Sequence, residues 1–139
     1  MRWASLLLTV VLSALVLGCS RPPAALPVRV HVQGEITYDG QKVENGIISF
    51  LPLEGTGVSG GGPIKNGSYY IDPDVRLTPG TYRVEIRWAK PTGELKSEVG
   101  YGQSPIIYAE AIPEKYNKAS TLKAEVQAGD NVIDFHLDK

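Results

Sequence analysis

The feature that most constrains this chain is a period of two. Between residues 81 and 88, Tyr82, Val84, Ile86 and Trp88 alternate with Arg83, Glu85 and Arg87, and the same rhythm returns over 28–38, 122–127 and 133–138. Successive side chains of an extended strand point to opposite faces, so each segment offers an apolar face to a core and a polar face to water. Residues 47–51 are apolar on both sides apart from Ser49, which fits a central strand whose ladder ends at Pro52. Turn chemistry separates these runs: Asp39-Gly40, Glu44-Asn45-Gly46, Pro79-Gly80 and Ala128-Gly129-Asp130-Asn131. Asn66-Gly67, between Ile64-Lys65 and residues 68–71, is the clearest hairpin, because both positions tolerate the positive φ of a two-residue turn. Gly34 interrupts the first strand and is read as a bulge. Residues 54–63, with five glycines, read as a mobile surface loop, and residues 89–119 as a long loop. About seven short strands, turn signals every 8 to 12 residues and no helical period predict an all-β chain, a seven-stranded antiparallel β-sandwich.

The amino terminus has a different character. Arg2 gives a positive start and residues 3–17 are almost unbroken apolar sequence, the layout of a secretory signal. A run of about 15 residues is short of the 20 or so that span a bilayer, and no charged stop-transfer flank follows. Val16-Leu17-Gly18-Cys19 then resembles the bacterial lipobox, in which an aliphatic and a small residue precede a lipid-accepting cysteine. Leu17 is bulkier than the residue usual there. The resemblance implies a signal peptide over 1–18, cleavage before Cys19, and acylation of both its thiol and its new amino group. The alternative is an ordinary signal peptide cut elsewhere, for which Ala24-Ala25 offers only a weak small-residue site. Residues 19–27 carry three prolines and read as an extended tether, and residues 28–139 as the folded domain. Ser20, with no acidic residue at that position, resembles lipoproteins sorted to the outer membrane.

Composition narrows the function classes. Fourteen basic and 15 acidic residues leave a net charge of -1 with no basic stripe, so nucleic acid is not expected as a partner. The single cysteine forbids an internal disulfide, and with two histidines, His31 and His136, there is no zinc-ligand spacing; neither metal nor cofactor is expected. Gly60-Gly61-Gly62 lacks the lysine and helix start of a phosphate loop. Asp72-Pro73-Asp74 reads as a turn rather than a calcium loop.

The segments from Gly34 to Gly40, Gly46 to Pro52, Asn66 to Tyr70 and Pro79 to Val84 resemble transthyretin-like, carboxypeptidase regulatory-like domains. With Ile112 to Asn117, Ser120 to Leu122 and the closing Asn131 to Phe135, their order is similar to that of small lipoproteins of planctomycete-type bacteria. The resemblance spans nearly all of the mature chain and implies a prealbumin-like sandwich of unassigned role. The hydroxyisourate hydrolase branch of that fold uses several histidines, an arginine and a terminal Tyr-Arg-Gly-Ser, whereas this chain ends Phe135-His-Leu-Asp-Lys139. His31 and His136 fall on outward phases of the first and last strands, and would approach each other if those strands were neighbours.

The expectation is therefore an exported, lipid-anchored cell-envelope module, not an enzyme, touching the membrane through Cys19 and a protein or glycan partner through residues 89–119. Tyr101, Tyr108 and Tyr116 are the candidate binding residues there; the bland alternative is that the loop folds back and its tyrosines cap the sandwich, Tyr116 above all. The rival functional readings are a small transthyretin-fold hydrolase using His31 or His136, a carbohydrate-binding surface domain, and a passive spacer.

Overall fold

The computed structural model describes residues 29–55 and 57–139; Cys19 and the segments expected to be a signal peptide and a tether lie outside the described residues. Alternation becomes strand wherever one face can be buried. In β1, Val30–Tyr38, the buried positions are Val30, Val32 and Ile36. Asp39 (φ 51) and Gly40 (φ 74) turn the chain into β2, Gln41–Lys42. β3, Asn45–Pro52, buries Ile48 and Phe50 but leaves Ile47 exposed, so its second apolar face has no core against it. β4, Gly60–Lys65, and β5, Ser68–Ile71, flank Asn66 (φ 51) and Gly67 (φ 83) in the expected hairpin. A 3-10 turn, Pro73–Val75, is capped by Asp72, whose carboxylate accepts from the Asp74 amide at 2.8 Å. β6, Gly80–Arg87, buries Tyr82, Val84 and Ile86. There follow β7, Ala89–Leu95, β8, Ile106–Glu110, a 3-10 turn, Glu114–Tyr116, and then β9, Lys123–Val126, β10, Gly129–Val132, and β11, Phe135–Leu137.

The main sheet runs β10-β1-β5-β4-β3-β6-β9, with β2 and β11 also paired to β1, while β7 and β8 form a separate two-stranded sheet. β3 is central, between β4 and β6. The outermost strands β9 and β10 are joined by Gln127 and Ala128 alone, so the sheet has to curl until its two ends meet. Asn131, buried on β10, stitches that seam: its Oδ1 accepts from the Gln127 amide (2.9 Å), and its Nδ2 donates to the carbonyls of Gln127 (3.0 Å), Gly129 (3.1 Å) and His31 (3.2 Å). The curl encloses one core, in which Phe50 lies with ring centroids 6.0 Å from Tyr82 and 6.3 Å from Tyr69, and Tyr69 6.4 Å from Phe135.

Three departures from the sequence reading have physical causes. Gly34 is no bulge: β1 keeps continuous register with β5 through Gly34↔Tyr69. A side chain there would collide with the Ile133 carbonyl, which crosses at this point and accepts the Tyr69 hydroxyl at 2.7 Å. Nor is the glycine stretch all loop, since Gly60, Gly61 and Gly62 pair with β3 as part of β4; at Gly61 a Cβ would strike the Ile48 carbonyl, so the strand exists because these residues have no side chain. Finally, β1 is indeed beside the carboxy-terminal strands, but it pairs with β10 and β11 in parallel within an otherwise antiparallel sheet.

Two tests of this architecture follow. Asn131→Ala should cost about 2 kcal/mol in urea unfolding, through the amide and carbonyl groups left unpaired at the seam. Burial, with a smaller contribution from the Asp134 carboxylate, holds the Tyr69 phenol well above its usual range. The unfolded chain ionises near 10 while the folded one keeps its proton, so this stabilisation is complete below that pH and is lost progressively as pH rises from there through the raised folded value. Tyr69→Phe should therefore lower stability at neutral pH by about 1–2 kcal/mol and flatten the decline of stability above about pH 10; an unchanged alkaline limb would contradict the assignment.

Candidate functional site

Residues 89–119 are not a structureless loop. They begin where β6 leaves the core at Trp88, itself buried. The Trp88 amide donates to Glu110 Oε1 at 2.7 Å, its carbonyl accepts from the Ala111 amide at 2.8 Å, and Lys90 Nζ stands 3.6 Å from the centre of its ring. This clamp ties both legs of a projecting ribbon, β7 and β8, to the edge of the core. Pairing runs Ala89↔Glu110, Lys90↔Ala109 and Pro91↔Tyr108, then resumes past an irregularity at Leu95↔Ile106. Within that break Thr92 Oγ1 donates to the Ile107 carbonyl at 3.2 Å. The tip is closed by Lys96 donating to the Pro105 carbonyl at 2.8 Å and by a turn in which Gln103 donates to Gly100 at 3.0 Å.

Residues opposite each other in an antiparallel pair share a face. One face of the ribbon therefore carries Pro91, Leu95, Ile106 and Tyr108, and it is open: Leu95 is 69% exposed, Tyr108 55% and Ile106 39%. Tyr101, on the tip turn, is fully exposed. Tyr101 and Tyr108 thus stand together on one projecting element with no packing duty toward the core.

Tyr116 has a different position. It follows the ribbon in the second 3-10 turn, packs against the core, and accepts from the Asp138 amide at 3.1 Å, while neighbouring Lys115 donates to the Lys139 carbonyl at 2.9 Å. It fastens the carboxy-terminal strand, as the capping alternative anticipates. The buried Asn117 holds the same turn by donating to the carbonyls of Ile112 (3.0 Å) and Pro113 (3.3 Å). Lys139 also pairs with Asp39, and that hydrogen-bonded carboxylate raises the Lys139 amine above its ordinary value.

The two histidines do not meet. His31 Nδ1 lies 2.6 Å from Asp130 Oδ1 with its ring 5.3 Å from Tyr70, whereas His136 Nδ1 lies 3.0 Å from Thr37 Oγ1. Their cross-strand partners, Asp130 and Thr37, fix them six residues apart along β1, roughly 20 Å. Parallel pairing is the cause, because it runs the last strands alongside β1 in the same direction instead of folding them back over it. Asp72 and Asp74 engage each other in the 3-10 cap. Cys19 lies outside the described residues.

The ribbon is the feature that sequence reasoning missed. Its signals are local: the β-branched and aromatic run Ile106-Ile107-Tyr108, and the breakers Pro91, Gly93 and Pro105 that bound short extended pieces. No family model matches this chain, and no match emerges from the curated proteins.

Placement separates the three tyrosines energetically. Tyr101→Ala should leave the unfolding free energy in urea within about 0.5 kcal/mol of the parent. Tyr116→Ala should cost about 2–3 kcal/mol, since a packed ring and a hydrogen-bond acceptor are both removed.

Proposed function

We propose that this chain is a lipid-anchored cell-envelope protein, moored through an acylated Cys19, whose β-domain serves a binding or structural role and does not catalyse. The observation that carries the reading is Val16-Leu17-Gly18-Cys19 placed directly behind the apolar run of residues 3–17. A single acyl chain gives only marginal binding, at about 0.8 kcal/mol per buried methylene, whereas the two or more chains implied by a lipobox moor a protein stably. The lone cysteine supports this use, because an unpaired thiol outside the cytosol is a liability unless it is modified. Residues 20–27, if extended at about 3.1 Å per residue, hold the domain some 25 Å from the attachment point. Ser20 directs the protein to the outer membrane in this reading.

We also take the curled sheet to be a prealbumin-like sandwich. Its support is the seven-strand path β10-β1-β5-β4-β3-β6-β9, together with the turn and strand segments that resemble the transthyretin-like family. Within such a module the ribbon is the contact element, and Tyr101 and Tyr108 are its anchors. Tyrosines in the open suit either an envelope protein or the face of a sugar ring, since both reward a large flat group that loses little conformational freedom on binding.

Labelled palmitate should enter the parent protein and not Cys19→Ala, and the mature protein should fractionate with the envelope. Recovery of the parent as a soluble protein with an unmodified thiol would end the mooring. For the ribbon, the double variant Tyr101→Ala, Tyr108→Ala should lose retention on immobilised envelope glycan, or lose a protein captured by the parent, while its unfolding curve stays unchanged; unaltered retention would remove the two tyrosines from the role.

A further inference from the structure

A sheet edge is a row of unpaired amides and carbonyls, and proteins blunt such edges with proline, charge, glycine or irregularity. The two edges of the ribbon differ sharply in this respect. β7 is blunted along its length by Lys90, Pro91, Gly93, Glu94 and the irregularity between Pro91 and Leu95. β8 reads Ile106-Ile107-Tyr108-Ala109-Glu110, with no proline, no glycine and no charge before its last residue. Among the described residues its only strand partner is β7.

The outward groups of β8 can be assigned. Ala111 donates to Trp88 and Ile107 accepts from Thr92, so residues 107, 109 and 111 turn their backbone groups toward β7. Alternation then directs those of Ile106, Tyr108 and Glu110 to the free edge. We propose that this edge pairs antiparallel with β8 of a second copy of the chain, across a two-fold axis at Ile107, joining the two ribbons into one four-stranded sheet. The proposal rests on the ribbon being the contact element and names its partner.

The choice of a second copy follows from the strand's own chemistry. A two-fold axis at Ile107 sets Ile106 opposite Tyr108 of the other copy, twice, and aromatic with β-branched residues are favourable cross-strand pairs. The same register places Glu110 opposite Ser104, so no like charges face each other. An axis at Tyr108 would instead put each Glu110 carboxylate opposite Ile106. The apolar faces bearing Leu95, Ile106 and Tyr108 become continuous across the joined sheet. Two five-residue strands and these flanks bury less than about 1,200 Å² in total, at the low end of specific interfaces, so the dimer is weak in solution and gains from confinement of both copies to one membrane.

Ile107 faces its counterpart as a non-hydrogen-bonded pair, with Cα atoms about 4.5 Å apart, within reach of a disulfide. The test uses the full chain in mild detergent, with single cysteines introduced and a mild oxidant added. Ile107→Cys should give a covalent dimer, Glu94→Cys on β7 should give none, and adding Tyr108→Lys to Ile107→Cys should abolish the dimer without altering the unfolding curve. Absence of a dimer from Ile107→Cys, an equal yield from Glu94→Cys, stronger crosslinking from Tyr108→Cys, or capture of a different protein at Ile107→Cys would each overturn the pairing. Running every variant with Cys19 present and as Cys19→Ser keeps the two readings apart. A crosslinked parent reports a free Cys19 thiol and sinks the mooring, while the ribbon is judged by the Ile107→Cys band in the Cys19→Ser background.

Discussion

The fold turns on one carbonyl. Ile133 O lies in the space a side chain at Gly34 would fill, and it is held there by the hydroxyl of Tyr69, the residue paired with Gly34 on the neighbouring strand. At this point β1 passes from pairing with β10 to pairing with β11, and the Asp134 carboxylate takes the Glu35 amide at 2.7 Å across the gap between those two ladders. A glycine, a buried tyrosine and a carboxylate thus bridge an interruption that would otherwise leave backbone groups of the two ladders without a protein partner. The parallel pairing of the chain's last strands with its first described one depends on that bridge, and so does closure of the sheet, because β10 has to reach back to β9.

Closure explains where function can reside. With Asn131 sewn across the connection between β9 and β10, most apolar side chains of the main sheet are spent on the core, although Ile47, Tyr70 and Val132 stay exposed. The ribbon is the element the core does not need. Trp88 marks the division: alternation on its amino-terminal side buries Tyr82, Val84 and Ile86, while beyond it Leu95, Ile106 and Tyr108 face water. In the proposed reading, that exposed apolar face is where a partner docks.

Much of the strand pattern was legible in the sequence, and the reason is physical. Alternation was readable wherever one face meets the core, as in β1, β6 and β9, and the Asp39-Gly40 and Asn66-Gly67 turns announced themselves because few residues accept their backbone angles. The glycine half of β4 escaped notice, although Ile64-Lys65 is legible as the hairpin's strand, because those glycines are selected by the nearness of another strand's carbonyl, a fact absent from local sequence. The ribbon escaped because alternation reports burial, and a hairpin with no core behind it has no inner and outer face to tell apart. Parallel pairing of β1 with β10 and β11 was likewise invisible, since it joins segments about a hundred residues apart, and the same long-range geometry is what parts His31 from His136. Of the three tyrosines singled out, sequence gave no means to separate two that face solvent from one that fastens the last strand.

A two-stranded ribbon is marginal by itself, because one ladder of hydrogen bonds and a one-sided set of side chains barely offset the entropy of ordering some 20 residues. Here order is imposed from the root, where Trp88, Lys90, Glu110 and Ala111 lock both legs, and from the tip, where Lys96 and Pro105 close the ladder. The entropy of holding β8 straight is thereby met before any partner arrives. An edge already ordered binds with less loss than a flexible one. The same rigidity raises the hazard of unwanted strand addition, which β7 answers with proline, charge and irregularity. That β8 carries none of these defences before its last residue, Glu110, is the asymmetry expected of an edge kept open for pairing.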